Sequence, residues 1–202
     1  MALQPGTSAP DFKLTTLGAN GPEYVTLSAQ AGKTNTLLLF VPMAFTGGCT
    51  TELCEVTGSL NSFTSLNATV LAISGDNPFA QAAWAEKEGI KLPLLSDYDH
   101  SVTKAYGIAY DSFLPEKNLG QSGVSKRSAF IVDNATTRIK LCVLVAQVGY
   151  HAINRTFTAG FHLRFLVSRA TRNKFHAAVR LPPVASLWFA KLLVEAHLSS
   201  AA

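Results

Sequence analysis

The chain has 202 residues, of which 48% are hydrophobic and 15% charged. This length and composition suit one domain with a sizeable core and an appendage, and they exclude a chain that is disordered throughout. Three cysteines are too few for the disulfide framework of a small secreted protein, and no apolar run reaches the roughly 20 residues that span a bilayer.

The net charge of +4 is an average over two unlike parts. Residues 1–137 carry 8 Lys/Arg and 12 Asp/Glu, whereas residues 138–202 carry 9 Lys/Arg and only Glu195. We therefore predict a folded domain over 1–140 and an atypical basic tail over 141–202. The tail's cations are scattered without interleaved aromatic residues, which favours a solvated or poorly ordered segment over a nucleic-acid-binding one.

Apolar strand patterns and helical patterns alternate along the first 135 residues. The predicted order is strand 24–27, strand 35–41, helix 45–63, strand 68–74, helix 78–88, strand 93–95, a helix between Asp99 and Gly107, and strand 128–132. Beyond residue 139 the periodicity is unclear, apart from an apolar stretch at 161–167 and a short apolar helix predicted at 187–193.

Three helix boundaries have recognisable signals. Asn77 followed by Pro78 predicts an N-cap and first helical residue, and Gly89 predicts the end of that helix. Asp99 is the predicted cap of the next helix, which Gly107 ends. Strands that alternate with helices indicate an α/β layered fold, in which a residue after the carboxyl end of a central strand lies where such sheets place their sites.

Cys49 follows the carboxyl end of the predicted central strand 35–41. The loop after strand 35–41 contains Gly47 and Gly48, which let the backbone approach the sulfur and leave N–H groups free to donate. At the first turn of a helix, unpaired N–H groups and the helix dipole stabilise a thiolate. The alternative is a buried cysteine that serves as a small hydrophobic residue.

The neighbours of this cysteine favour a reactive thiol. Thr46 supplies a hydroxyl group three residues earlier, and Pro42 makes the strand exit rigid and can shield a thiolate from water. Glu52, which we place on the first helical turn, can orient a guanidinium group.

Pro42, Thr46 and Cys49 form the pattern Pro-x-x-x-Thr-x-x-Cys, which resembles the active-site motif of the peroxiredoxins. That family also has an arginine at the start of a later strand, where Arg127 stands in the stretch 125–133. Further similar stretches, at 72–76, 85–89, 93–97 and 104–107, lean towards the branch of AhpE and the bacterioferritin-comigratory proteins. The resemblance covers about residues 5–140.

The resemblance implies a thioredoxin-like fold, with a central mixed sheet flanked by helices, and a thiol-dependent peroxidase. Cys49 would attack the peroxide and become a sulfenic acid. Arg127 would stabilise the thiolate and donate hydrogen bonds to the peroxide. Thr46 and Gly48 would complete the substrate site. No cofactor or metal is required, because the cysteine carries out the redox step.

Cys54 has two interpretations. In the related branch a cysteine at this spacing can resolve the sulfenic acid as an internal disulfide. On an intact helix, however, the two Cα atoms lie about 8–9 Å apart, whereas a disulfide requires less than about 7 Å. The helix would have to unwind; otherwise Cys54 is a buried helix thiol and an external thiol resolves. Cys142, in or after an edge strand, is expected to be passive.

The expected reductant is thioredoxin, glutaredoxin or a low-molecular-weight thiol, acting on a cytoplasmic monomer or homodimer with no membrane partner. A non-enzymatic redox sensor or chaperone-like holdase is the alternative. The chain departs from the family at 134–138, which replaces a glycine turn, and in the acid-poor residues that follow. One hypothesis is that a shifted reading frame or a retained intron encodes this tail.

Overall fold

The structure, a computed structural model, describes residues 1–144 and the backbone of one further strand. The strands are β1 Lys13–Gly18, β2 Gly21–Thr26, β3 Asn35–Phe40, β4 Ala68–Ser74, β5 Leu94–Ser96, β6 Ser128–Val132, β7 Ile139–Leu144 and β8 Arg164–Leu166. The helices are α1 Gly47–Gly58, α2 Leu60–Ser65, α3 Pro78–Glu88 and α4 Ser101–Ala105, with 3-10 turns at Ser28–Gln30 and Pro115–Lys117.

The described strands form one mixed sheet in the order β2-β1-β5-β4-β3-β6-β7-β8. Strands β3, β4 and β5 run parallel, and β6 joins β3 antiparallel. In β3, Leu37 and Leu39 belong to the hydrophobic cluster that contains Trp84, while Leu38 and Phe40 belong to the cluster on the opposite face. Both faces of the central strand are therefore buried, as its continuous apolar run predicts.

Strand β1 was not predicted. Its buried positions, Leu14 and Thr16, alternate with less buried ones, and one of the two is a threonine, so the apolar signal is weak. It pairs with β2 over its whole length, and β2 begins earlier than the predicted strand at 24–27. This hairpin covers one edge of the sheet.

The predicted single helix over 45–63 was wrong. Helix α1 ends at Gly58 and α2 begins at Leu60, with Ser59 between them at φ −114° and ψ 6°. Glycine inside a helix costs about 1 kcal/mol relative to alanine, and here it marks the point at which the chain turns. The shorter α1 is the helix that carries both Cys49 and Cys54.

The prediction for α3 was confirmed. Asn77 Oδ1 accepts a hydrogen bond from the Ala80 N–H at 2.9 Å, and Gly89 adopts the left-handed conformation at φ 69°. The Asp99 cap predicted for α4 was confirmed in part. Asp99 Oδ1 accepts a hydrogen bond from the N–H of Ser101, the first residue of the helix, and the carboxylate of Asp97 accepts those of Val102 and Thr103.

The turn at 134–138 returns the chain as β7, which crosses the boundary predicted at residue 140. Cys142 lies in β7, which pairs with β6 on one side and with β8 on the other, so its predicted place at an edge strand was wrong. Burial raises the pKa of Cys142 to about 12. The remaining predictions for the tail, at 145–163 and 167–202, lie outside the described residues.

Candidate active site

The loop after β3 is held at two points before it enters α1. Ser125 Oγ donates a hydrogen bond to the Val41 carbonyl at 2.9 Å, and Asp76 Oδ2 accepts one from the Ala44 N–H at 2.8 Å. Pro42, between these points, is buried. The two hydrogen bonds therefore fix the direction of the loop. Helix α1 begins beyond the carboxyl end of β3.

Phe45 has an unusual backbone conformation in this loop. It has φ 59°, a left-handed conformation that is costly for a bulky side chain, of the order of 1–3 kcal/mol. Its ring lies 6.3 Å from that of Trp84, centroid to centroid, and the side chain is 51% exposed. Phe45, four residues before Cys49, thus contacts Trp84 of α3.

Cys49 is the third residue of α1 and is 1% exposed. Arg127 Nη2 donates a hydrogen bond to its Sγ at 3.1 Å. A Cβ at Gly48 would lie 3.3 Å from the same nitrogen, so any side chain at this position would crowd the guanidinium. The helix N-terminus and the cation thus converge on one buried sulfur.

Arg127 also pairs through Nη1 with Glu52 Oε2. Burial lowers the pKa of Arg127, but Glu52 and Cys49 outweigh it, so the net shift is upward and the cation is retained. Burial raises the pKa of the Glu52 carboxyl, which Arg127 only partly offsets. Because α1 begins at Gly47, Glu52 lies on its second turn rather than the first.

Thr46 immediately precedes α1. Its Oγ1 donates a hydrogen bond to the Met43 carbonyl at 2.9 Å, and its own carbonyl accepts one from the Thr50 N–H. The hydroxyl proton is therefore used inside the loop, and the oxygen lone pairs are the part of this group that can accept a hydrogen bond from a substrate.

Cys54 is directed towards α3. Its Sγ donates a hydrogen bond to the Glu88 carbonyl at 3.5 Å, and burial together with the charge of Glu88 raises the pKa of this thiol. Cys54 and Cys49 both carry free thiols and lie in one continuous helix. In this conformation Cys54 is neither deprotonated readily nor placed to reach the sulfur of Cys49.

Asp76, Ser125 and Trp84 support the site but were not assigned to it from the sequence. Asp76 follows the carboxyl end of β4, which is the one signal that could have indicated it. Within residues 1–144, no group of three or more His, Cys, Asp or Glu side chains could hold a metal ion. No helix in the part of the chain that the structure describes is long and apolar enough to cross a membrane.

Comparison with known proteins gives a consistent result. Residues 5–138 match the AhpC/TSA family. Alkyl hydroperoxide reductase E of Mycobacterium tuberculosis is 36% identical over 135 residues, which are 66% of this chain and 80% of that protein. Peroxiredoxin Bcp of Bacillus subtilis is 34% identical over 141 residues, 69% of this chain and 85% of that protein.

Solved structures show the same likeness. The structure of peroxidoxin BcpB from Mycobacterium tuberculosis has a TM-score of 0.61 at 27% identity, covering 70% of this chain and 86% of that one. The reduced 2-Cys peroxiredoxin of Plasmodium vivax has a TM-score of 0.62 at 26% identity, covering 73% and 88%. The predicted thioredoxin-like fold is confirmed.

These findings also confirm the predicted activity, in which a thiol reduces a peroxide. They support a peroxide as the class of substrate and a thiol as the class of reductant. They do not favour the alternative of a non-enzymatic sensor or holdase. The chain belongs to the AhpC/TSA family of peroxiredoxins and is a thiol-dependent peroxidase.

Proposed function

We propose that Cys49 is the peroxidatic cysteine and that hydrogen peroxide and small organic hydroperoxides are its substrates. The observation that carries this proposal is the 3.1 Å contact between Arg127 Nη2 and the sulfur of Cys49. Cys49 is 1% exposed. The thiolate attacks one peroxide oxygen, and the O–O bond breaks. The sulfur is oxidised to a sulfenic acid, and the second oxygen leaves as an alkoxide or hydroxide that takes up a proton.

Arg127 stabilises the charge that moves from sulfur to the departing oxygen. Donors that are already in place when charge develops supply much of the rate gain of an enzyme, and Glu52 holds this donor by its other nitrogen. Thr46 Oγ1 accepts a hydrogen bond from the peroxide O–H and so fixes its approach. Gly48 leaves room beside the guanidinium, and Pro42 limits the access of water.

The choice of small substrates rests on the burial of the sulfur and on a relative. Cys49 is 1% exposed, which leaves little surface for a bulky substrate to contact. The relative from Mycobacterium tuberculosis is named an alkyl hydroperoxide reductase, which supports organic hydroperoxides beside hydrogen peroxide.

Cys54 resolves the sulfenic acid after α1 unwinds. Its thiolate attacks the oxidised sulfur, the S–S bond forms as the S–O bond breaks, and the hydroxide that leaves takes up a proton to become water. Thioredoxin, glutaredoxin or a low-molecular-weight thiol then reduces the disulfide. Where unwinding is too slow, the same external thiol attacks the sulfenic acid directly. We place this reaction in the cytoplasm, since it needs a reducing compartment, and in a monomer or homodimer.

Stopped-flow oxidation tests the assignment of Cys49. The full-length protein should react with hydrogen peroxide in a fast second-order step that a Cys49→Ser variant abolishes. Cys142→Ser is the matched control, because Cys142 is also buried, and it should leave the rate unchanged. A rate as slow as that of a free thiol in buffer would contradict the proposal.

Mass spectrometry after one equivalent of peroxide tests the role of Cys54. A loss of two hydrogens in the wild type, replaced by a gain of one oxygen in Cys54→Ser, supports an internal disulfide. A stable gain of one oxygen in both proteins would show that an external thiol resolves.

A further inference from the structure

The imidazole ring of His100 lies between two glycines from different segments. A Cβ added at Gly75 would lie 2.8 Å from His100 Nδ1 and closer still to Cε1, and one added at Gly123 would lie 2.9 Å from Cδ2. Real Cβ atoms essentially never approach a neighbour this closely. The ring therefore occupies the space that side chains at positions 75 and 123 would need.

His100 is held in this place at a cost. Its backbone is left-handed, with φ 59°, and Nδ1 is buried without a hydrogen-bond partner among residues 1–144. A buried polar atom without a partner loses its hydration and gains nothing in return. The close contacts of the ring with the two glycines, which are contacts of shape, explain its position.

Each glycine belongs to a segment that supports the active site. Gly75 precedes Asp76, whose Oδ2 accepts the Ala44 N–H and so anchors the loop that leads to Cys49. Gly123 lies four residues before Arg127, and Ser125 between them donates to the Val41 carbonyl. One segment thus supports the nucleophile and the other carries the cation.

We propose that His100 is a positioning residue for the peroxide reaction, a wedge that sets the distance between the segment anchoring the Cys49 loop and the segment carrying Arg127. This inference rests on the proposed function. Close-packed interiors transmit small displacements, and a misplacement of about 1 Å between reacting groups can cost as much as 100-fold in rate. Removal of the wedge should therefore change the Cys49–Arg127 geometry while leaving both residues present.

The test compares two reactions of the same sulfur in His100→Ala. Both oxidation by hydrogen peroxide and alkylation by iodoacetamide require access to the thiolate, which Arg127 stabilises, but only oxidation also requires Arg127 and Thr46 to be aligned with a peroxide. The ratio of the oxidation rate to the alkylation rate should fall about tenfold. The control is Tyr98→Ala, a 70% exposed side chain two residues earlier, which should leave the ratio unchanged.

Two further variants test the same role by changing Gly75, which contacts the imidazole ring. Gly75 is not among the glycines with positive φ, so Gly75→Ala acts by displacing the imidazole ring, and it should lower the same ratio. The double variant His100→Ala, Gly75→Ala should be no worse than the more impaired single variant. Independent losses that multiply in the double variant would overturn the proposal.

Other outcomes are also decisive. If His100→Ala does not fold, His100→Asn replaces it, since asparagine tolerates a left-handed backbone but cannot reach the space beside Gly75. A ratio within twofold of the wild type, or a parallel rise of both rates that reports a loosened fold, would overturn the positioning role. A wild-type protein that peroxide oxidises slowly would instead contradict the proposed function itself.

Discussion

Arg127 contacts two groups with one guanidinium, the sulfur of Cys49 and the carboxylate of Glu52. The two contacts use different nitrogens, so the planar fork of arginine is needed as well as its charge. Lysine has one ammonium group and cannot occupy both positions.

We therefore expect Arg127→Lys to lower the second-order rate of Cys49 oxidation by about 10²–10³, the range for loss of a preorganised donor. Stopped-flow kinetics with hydrogen peroxide measures this rate. Arg138→Lys is the matched control, because Arg138 Nη1 donates to the Gly6 carbonyl, which is remote from Cys49 in the sequence. A lysine variant within a few-fold of the wild type would show that charge alone suffices.

Glu52 pairs with Arg127, and we expect it to act on the reaction through that contact. Glu52→Gln keeps the shape and one hydrogen bond but removes the charge that holds the guanidinium, so we expect oxidation of Cys49 to slow about tenfold, as for a charge-assisted hydrogen bond worth roughly 1.5 kcal/mol. Glu55→Gln on the same helix controls for the loss of one negative charge. Equal rates in the two variants would refute a specific role for Glu52.

The residue scale also shows what the sequence could predict. A spaced motif and a strand context are enough to predict Pro42, Thr46, Cys49 and Arg127 as site residues. Asp76 and His100 were not assigned to the site, since their importance arises only when separate segments meet. For Asp76 the one local signal is its place after the carboxyl end of β4, and a histidine before a helix has no local pattern that distinguishes support of a site from a surface position.

At the scale of elements, α1 is fastened to α3 and the residues that follow it along one face. Trp84 Nε1 donates to Thr50 Oγ1, Cys54 Sγ donates to Glu88 O, and Lys91 N–H donates to Thr57 Oγ1. Positions 50, 54 and 57 recur at helical spacing, so these contacts form one seam. Resolution by Cys54 requires that this seam open.

Thr57→Val removes one hydrogen bond of the seam and keeps the side-chain shape. A net loss of about 1 kcal/mol from the folded helix should speed formation of the Cys49–Cys54 disulfide by up to about fivefold, because the unwound state becomes more populated. Acid-quenched mass spectrometry after peroxide measures the rate. Thr64→Val in α2, whose hydroxyl donates within its own helix, is the control.

An unchanged disulfide rate in Thr57→Val would show that α1 does not need to release this contact.

The element scale is also where prediction from sequence was partly wrong. The pattern at 45–63 has helical spacing throughout, yet the chain divides at Gly58 and Ser59. Periodicity indicates which residues face the core, but it does not indicate where the chain turns.

At the scale of the whole molecule, the turn between β6 and β7 joins the family-like part to the unmatched tail. Asp133 Oδ1 accepts hydrogen bonds from the N–H groups of Ala135 and Thr136, and Oδ2 pairs with Lys140. Burial opposes ionisation, but the contacts with Lys140 and Thr136 outweigh it and lower the pKa of Asp133 to about 2. An Asx-type turn thus replaces the expected glycine turn.

The pKa of Asp133 is lower in the folded chain than in the unfolded chain, so its ionised carboxylate stabilises the fold above about pH 4. This contribution is lost as the pH falls towards 2. We expect Asp133→Asn to lower the free energy of unfolding by about 1–2 kcal/mol at pH 7. The difference from the wild type should shrink between about pH 4 and pH 2, as urea unfolding at each pH will show. Asp111→Asn, at an exposed position, is the control, and a difference independent of pH would contradict the role of the carboxylate.

Strand β8 is the part of the tail that pairs with the sheet. It pairs with β7 in the register Cys142↔Leu166 and Leu144↔Arg164, so β7 is an inner strand although the recognisable family pattern ends near residue 140. A chain cut after Leu144 leaves one side of β7 without partners and creates an exposed strand edge. Hydrogen exchange should then quicken in the β7 amides that face β8, while those of β3, which pairs with β4 and β6, keep their protection. Equal exchange of β7 in the full and shortened chains would show that β8 contributes nothing to the sheet in solution, and that the catalytic fold is complete at β7.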